Sequence, residues 1–130
     1  MRVMTDTNIL LSALVFGSAK MAYLLEKVTE EHTLVICSHI IDEFRSVVAR
    51  KAPKYNNAVD RLFANLSYEM VYTPKFFENI PDIRDKKDKP ILAAAILADV
   101  DIIITGDKDF FDIDIERPKI VSHLEFLAKY

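Results

Sequence analysis

Cysteine, glycine and proline are all scarce in this 130-residue chain. Cys37 is the only cysteine, so no internal disulfide can form, and a reducing compartment is the natural home. Two glycines and five prolines leave little room for long disordered linkers. The longest apolar runs, such as residues 91–98, are far too short to span a bilayer. No leader precedes the first apolar run, so a cytoplasmic protein without a membrane partner is expected. The three histidines are scattered, with no pair at metal-binding spacing. An excess of positive charge is also missing. The net charge of −3 argues against a protein that holds nucleic acid mainly through a basic surface. It does not exclude one that meets phosphate through a bound cation.

What is present is a balance of 51% hydrophobic and 28% charged residues, enough for one domain over residues 1–130 with a core of its own. Short apolar runs at 2–5, 34–37, 69–72, 101–105 and 119–121 read as strands. Between them the apolar spacing turns helical. A helix or helical turn covers 9–15. Ser18 is the expected N-cap of a helix with Met21, Leu24, Leu25 and Val28 on its inner face. Ser38 is the expected cap of another, with Ile40, Ile41, Phe44, Val47 and Val48 turned inward up to Arg50. A further helix is expected at 57–65, a charged loop at 75–87, and a helix at 123–129. Pro90 suits the first turn of a helix whose alanines can lie close to a sheet. Alternating strands and helices predict an α/β fold, a three-layer α/β/α sandwich on a mostly parallel sheet of about five strands. In such a fold every strand's C-terminal end faces the same edge.

Four acids fall on that edge. Asp6 follows the first strand directly, and Asp107 follows the fourth after Gly106. Glu43 lies one turn into the helix after the second strand, and Asp88 opens the alanine-rich helix. Crowded carboxylates repel, and burying them unpaired is costly. No lysine or histidine has an evident place among them, so a hard divalent cation, Mg²⁺ or Mn²⁺, is the expected compensator. Such an ion would polarise a phosphodiester and activate water. Thr7 is placed to hydrogen-bond a ligand carboxylate.

Four motifs, quoted in order, carry a resemblance over nearly the whole chain. They are Asp6-Thr7-Asn8-Ile9, then Ser38-His39-Ile40-Ile41-Asp42-Glu43-Phe44. Next come Asp85-Lys86-Lys87-Asp88-Lys89-Pro90-Ile91-Leu92-Ala93-Ala94-Ala95 and Ile104-Thr105-Gly106-Asp107-Lys108-Asp109-Phe110. Any one is weak; the four together are specific. The sequence resembles the PIN-domain ribonucleases, close to the VapC-like toxin components of toxin–antitoxin pairs. The resemblance implies a PIN-like fold with Asp6, Glu43, Asp88 and Asp107 as catalytic metal ligands. Asp109 is either a further ligand or an outer acid, and Asp85 competes with Asp88. Asn8 and Thr105 match supporting positions. The activity implied is Mg²⁺- or Mn²⁺-dependent endonucleolytic cleavage of single-stranded RNA, by a protein that commonly forms a homodimer. An antitoxin would insert a peptide over the acidic edge, with an arginine to neutralise it. Arg45, Arg50 and Lys51, grouped with Lys54 and Arg61, are then contacts for the RNA backbone, or else a solvated helix face.

Each acid also has a plainer reading. Asp88 before Lys89-Pro90 is a good helix cap, Asp107 after Gly106 a turn residue, and Glu43 part of a polar helix face. Asp6 is the hardest to explain so. His39 is expected at the surface or in a capping role, Cys37 as an inert core residue, and Tyr55, Tyr68 and Tyr72 in packing rather than base stacking. Three rival functions stand beside the toxin. One is a non-catalytic binding module on the same fold, and another an RNA-processing nuclease without an antitoxin. The third is a phosphate-accepting receiver domain, although only one acid follows the first strand and Lys119 precedes the last.

Overall fold

The computed structural model describes residues 1–75 and 79–130. Five strands form one sheet in the order β3-β2-β1-β4-β5, and every neighbouring pair is parallel. They are β1 (Arg2–Thr5), β2 (Thr33–Cys37), β3 (Glu69–Val71), β4 (Ile102–Ile104) and β5 (Lys119–Val121). The helices are α1 (Thr7–Leu14), α2 (Ala19–Glu31), α3 (Ser38–Lys51), α4 (Val59–Asn65), α5 (Lys89–Leu97), α6 (Lys108–Phe111) and α7 (His123–Lys129). The whole is a three-layer α/β/α sandwich.

The sheet is parallel because each strand is followed by helix, and a crossover returns the chain to the same edge. Ile102, Ile103 and Ile104 are buried, as expected for a strand covered on both faces. Ala93, Ala94 and Ala95 of α5 are buried too, and their small side chains let that helix lie close. Phe44 of α3 meets Phe63 of α4 edge to face, with centroids 5.0 Å apart. Cys37 is fully buried, and burial pushes its thiol pKa up, as an inert core thiol requires. Among the described residues no single helix is long and apolar enough to cross a membrane.

The strand order removes one rival. Receiver domains follow the order 2-1-3-4-5. Here β1 lies between β2 and β4, so the direction of winding reverses at β1. The crevice at such a reversal, outside the carboxyl ends of the strands, is where open α/β sheets bind ligands.

Ser18 caps α2 as expected, accepting from the Met21 N–H at 3.2 Å. Ser38 does not cap α3. Cys37 holds the cap position without a side-chain bond. The Ser38 hydroxyl instead accepts the Thr73 N–H at 2.9 Å, while the Thr73 hydroxyl accepts the His39 N–H at 3.1 Å. This reciprocal pair ties the chain leaving β3 to the start of α3, a long-range use that outcompetes the local cap. The expected charged loop is irregular from 79 to 85 and ends in a 3₁₀ turn at Lys86–Asp88; residues 76–78 of it lie outside the described residues. The helix expected from 57 begins later, at Val59, because a 3₁₀ turn at Pro53–Ala58 precedes it. α6 was not anticipated: at four residues it is too short to show a period.

Candidate active site

The two edges of the sheet treat their charges differently. At the N-terminal edge, Arg2 pairs with Glu69 at 2.6 Å and Arg117 with Asp101 at 2.9 Å. Asp101 also accepts the Arg2 N–H at 2.8 Å. At the C-terminal edge, a cavity of about 650 Å³ is lined by Asp6, Glu43, Asp85, Asp88 and Asp107. Among the described residues, Asp6, Glu43, Asp85, Asp88 and Asp107 have no cationic group within 4.0 Å.

Asp6 is fixed from three sides. Its backbone N–H extends the sheet by donating to the Ile104 carbonyl at 3.1 Å. Its Oδ1 caps α1, accepting from the Ile9 N–H at 2.9 Å. Its Oδ2 accepts the Thr105 hydroxyl at 2.7 Å and the Gly106 N–H at 3.3 Å. Asp6, the acid hardest to explain by a plain role from sequence, therefore has one, as a helix cap. A cap needs only one oxygen; the second is held by the chain leaving β4. Burial raises the Asp6 pKa above the usual carboxylate value, and these three donors oppose the rise.

Glu43 projects from α3 toward the start of α1, where the Thr7 hydroxyl donates to its Oε1. Thr7 itself is buried. Asp107 caps α6, accepting from the Asp109 N–H at 2.9 Å, while its own N–H donates to the Thr105 hydroxyl at 3.0 Å. Thr105 thus donates to Asp6 and accepts from Asp107. The turn reading of Asp107 holds for one of its oxygens.

Asp88 is different. It occupies the cap position of α5, yet its side chain makes no capping bond. Its Oδ2 is buried and has no hydrogen-bond partner. Burial, and then the carboxyls of Asp107, Asp85 and Glu43, push its pKa up to about 8. The plain capping reading of Asp88 therefore fails; Asp85 does the local capping, accepting from the Lys87 N–H at 3.0 Å. Asp85, Asp88, Asp107 and Asp109 each offer a carboxylate oxygen, and these oxygens lie within 4.8 Å of one another. Asp109 also stands 3.8 Å from the exposed Arg84. An all-oxygen donor set, with an orphaned buried oxygen in its midst, fits a hard divalent cation such as Mg²⁺ or Mn²⁺. Asp6 and Glu43 line the same cavity but stand outside this close group of four.

The remaining expected residues separate. Asn8 is exposed and lines this cavity and a smaller one of about 370 Å³ beside Asp6 and Asp107. Arg50 and Lys51 line the acidic cavity. Arg45 does not: it is paired with Asp60 of α4 at 2.5 Å, because it leaves α3 on the side that faces α4. His39 is a correction. Its ring lines the cavity, and its Nε2 is buried without a partner. Lys87 lines the cavity and His123 the smaller one, although the sequence gives neither a role at the site. Nothing local marks them, since each reaches the site only when the β-strand edges assemble.

Comparison with known proteins bears on the family and the fold. No curated protein matches the sequence. Among solved structures, the crystal structure of VapBC2 from Rickettsia felis bound to a DNA fragment from their promoter is similar, with a TM-score of 0.68 and 19% identity. The match covers 94% of this chain and 98% of that one, and at this identity it shows the fold. A family model described as a PIN domain matches residues 2–109, a span that takes in all four acids expected from the sequence. The chain belongs to the PIN domain family.

Proposed function

We propose that the chain, acting as one domain over residues 1–130, is a metal-dependent endoribonuclease that cuts single-stranded RNA. Asp6, Glu43, Asp88 and Asp107 are its catalytic carboxylates. They would hold Mg²⁺ or Mn²⁺, with Asp109 as a further ligand. The observation that carries the reading is the unpaired convergence of these acids, above all the buried, partnerless Oδ2 of Asp88. A fold gains nothing from such a group unless something else satisfies it.

When bound, the ion would supply Lewis-acid polarisation of a phosphodiester and neutralise charge as it develops. The protein's own contribution is orientation. Thr105 and the Gly106 N–H aim Asp6, the Thr7 hydroxyl aims Glu43, and the cap of α6 aims Asp107. Hydrogen bonds of this kind stiffen ligands and sharpen affinity. Asn8 stands beside them on the cavity wall. Arg50, Lys51 and Lys87 on the same cavity would meet the phosphates on either side of the scissile one.

We extend the reading to a toxin role, with an antitoxin covering the acidic edge, a cytoplasmic setting and a homodimer; the likeness in fold to the VapBC2 structure is what suggests the toxin–antitoxin part of it. The purified protein, incubated with labelled single-stranded RNA, should cut it with Mg²⁺ or Mn²⁺ and stop on chelation. Asp6→Asn should keep the fold, because an amide oxygen still caps α1, and lose cleavage. Cleavage by Asp6→Asn at the parental rate would remove Asp6 from the catalytic set.

A further inference from the structure

The acidic cavity shares one wall residue with a neighbouring groove. Lys51, the last residue of α3, lines the cavity and also this groove of about 440 Å³. That groove is bounded by Val15 and Phe16 after α1, and by Pro53, Lys54 and Tyr55 in the 3₁₀ turn after α3. The local sequence sets both walls. Gly17 adopts a left-handed φ of 73°, which turns the chain sharply after Phe16. Pro53 opens the turn that follows α3. Phe16 is 53% exposed and Tyr55 36%, and Lys51, Pro53 and Lys54 are exposed with them.

The Lys54 ammonium stands over the Tyr55 ring, 5.2 Å from its centroid, so charge and ring are held side by side. Among the described residues neither Lys51 nor Lys54 forms an ion pair. Exposed rings flanked by unpaired ammonium groups are the chemistry that holds single-stranded nucleic acid: rings stack on bases and cations meet phosphates. An apolar protein segment would also suit Val15 and Phe16. The two unpaired lysines, one of which, Lys51, also lines the cavity that would hold the scissile phosphate, favour RNA.

We propose that this groove is a subsite for the RNA strand. A base flanking the cleaved phosphate stacks on Phe16 and Tyr55, and Lys51 and Lys54 take the adjoining phosphates. The proposal rests on the nuclease reading above. Its test measures kcat and KM with Mg²⁺ on a short single-stranded oligoribonucleotide. The proteins compared are the parent, the double variant Phe16→Ala/Tyr55→Ala, and Lys54→Ala. Losing the stacking rings should raise KM by about tenfold and leave kcat unchanged. Lys54→Ala, a mild change at an exposed site, should raise KM less and flatten its dependence on salt. If the parent cuts RNA and both variants match its KM, the subsite is overturned and the groove falls to a protein segment. If the parent neither binds nor cuts RNA, the nuclease reading and the subsite fall together.

Discussion

Thr105 and Asp6 are 99 positions apart, and the Thr105 hydroxyl donates to the Asp6 carboxylate at 2.7 Å in a buried setting. The same hydroxyl accepts the Asp107 N–H at 3.0 Å. One side chain therefore sets the positions of two acids from neighbouring strands, β1 and β4, at the point where the sheet reverses its winding.

Thr105→Val keeps the shape and removes the hydroxyl. It should leave Asp6 with one donor fewer and the Asp107 N–H without its acceptor. The expected cost is about 1–2 kcal/mol of stability. Cleavage or metal affinity should drop by about 10–100-fold, as for other residues that orient ligands. Chemical denaturation and Mn²⁺ titration by calorimetry would check the two effects separately. Thr105→Ser should recover most of both.

Asp88→Asn should act in opposite directions on stability and activity. Without metal, the native Asp88 carboxyl is buried beside Asp107, Asp85 and Glu43 and has an unsatisfied oxygen. A neutral amide removes the repulsion, so the metal-free variant should melt a few degrees higher than the parent at pH 8. RNA cleavage should be lost. Sites assembled for function commonly sacrifice stability in this way. Differential scanning calorimetry in chelator, paired with a cleavage assay, is the measurement.

The pH dependence of the metal-free protein follows from the same residue. The Asp88 pKa is raised from 3.8 to about 8 in the folded state. For an acid raised on folding, the folded state binds the proton more tightly. The resulting stability is fully present below the unfolded pKa and is lost as pH rises through the folded one. The melting temperature in chelator should therefore fall between about pH 4 and pH 8 through this residue, and Asp88→Asn should flatten the fall. Mn²⁺ binding at pH 7 should release a proton, visible as a heat of binding that depends on the buffer.

Arg45 and Arg50 should behave differently although both belong to α3. Arg45 is engaged with Asp60, an exposed pair worth about 0.2–1 kcal/mol. Arg45→Ala should leave cleavage within about twofold and cost little stability. Arg50 lines the acidic cavity. Arg50→Ala should raise KM for RNA several-fold and weaken its salt dependence, as the loss of a phosphate contact does. Steady-state kinetics at two salt concentrations would distinguish them.

The sequence by itself determined the order of elements and the edge on which the acids gather. Isoleucine runs, the Ser18 cap and the Pro90 turn are local signals, and local signals survive being read one segment at a time. The four acids are local signals of the same kind: Asp6 and Asp107 lie just past strands, Asp88 precedes a helix and Glu43 lies one turn into one. Only the tertiary structure decided how each carboxylate is used. Asp88 reads as a cap of α5, yet its side chain makes no capping bond and keeps a buried, unpaired oxygen, while Asp85, three residues earlier, caps the 3₁₀ turn. His39 and Lys87 reach the cavity, and Arg45 turns to Asp60, through contacts made across elements far apart in sequence. Periodicity tells which face of a helix is apolar. It does not tell which polar neighbour a side chain meets, since that depends on the order of strands in the sheet and on distances fixed only when the layers pack.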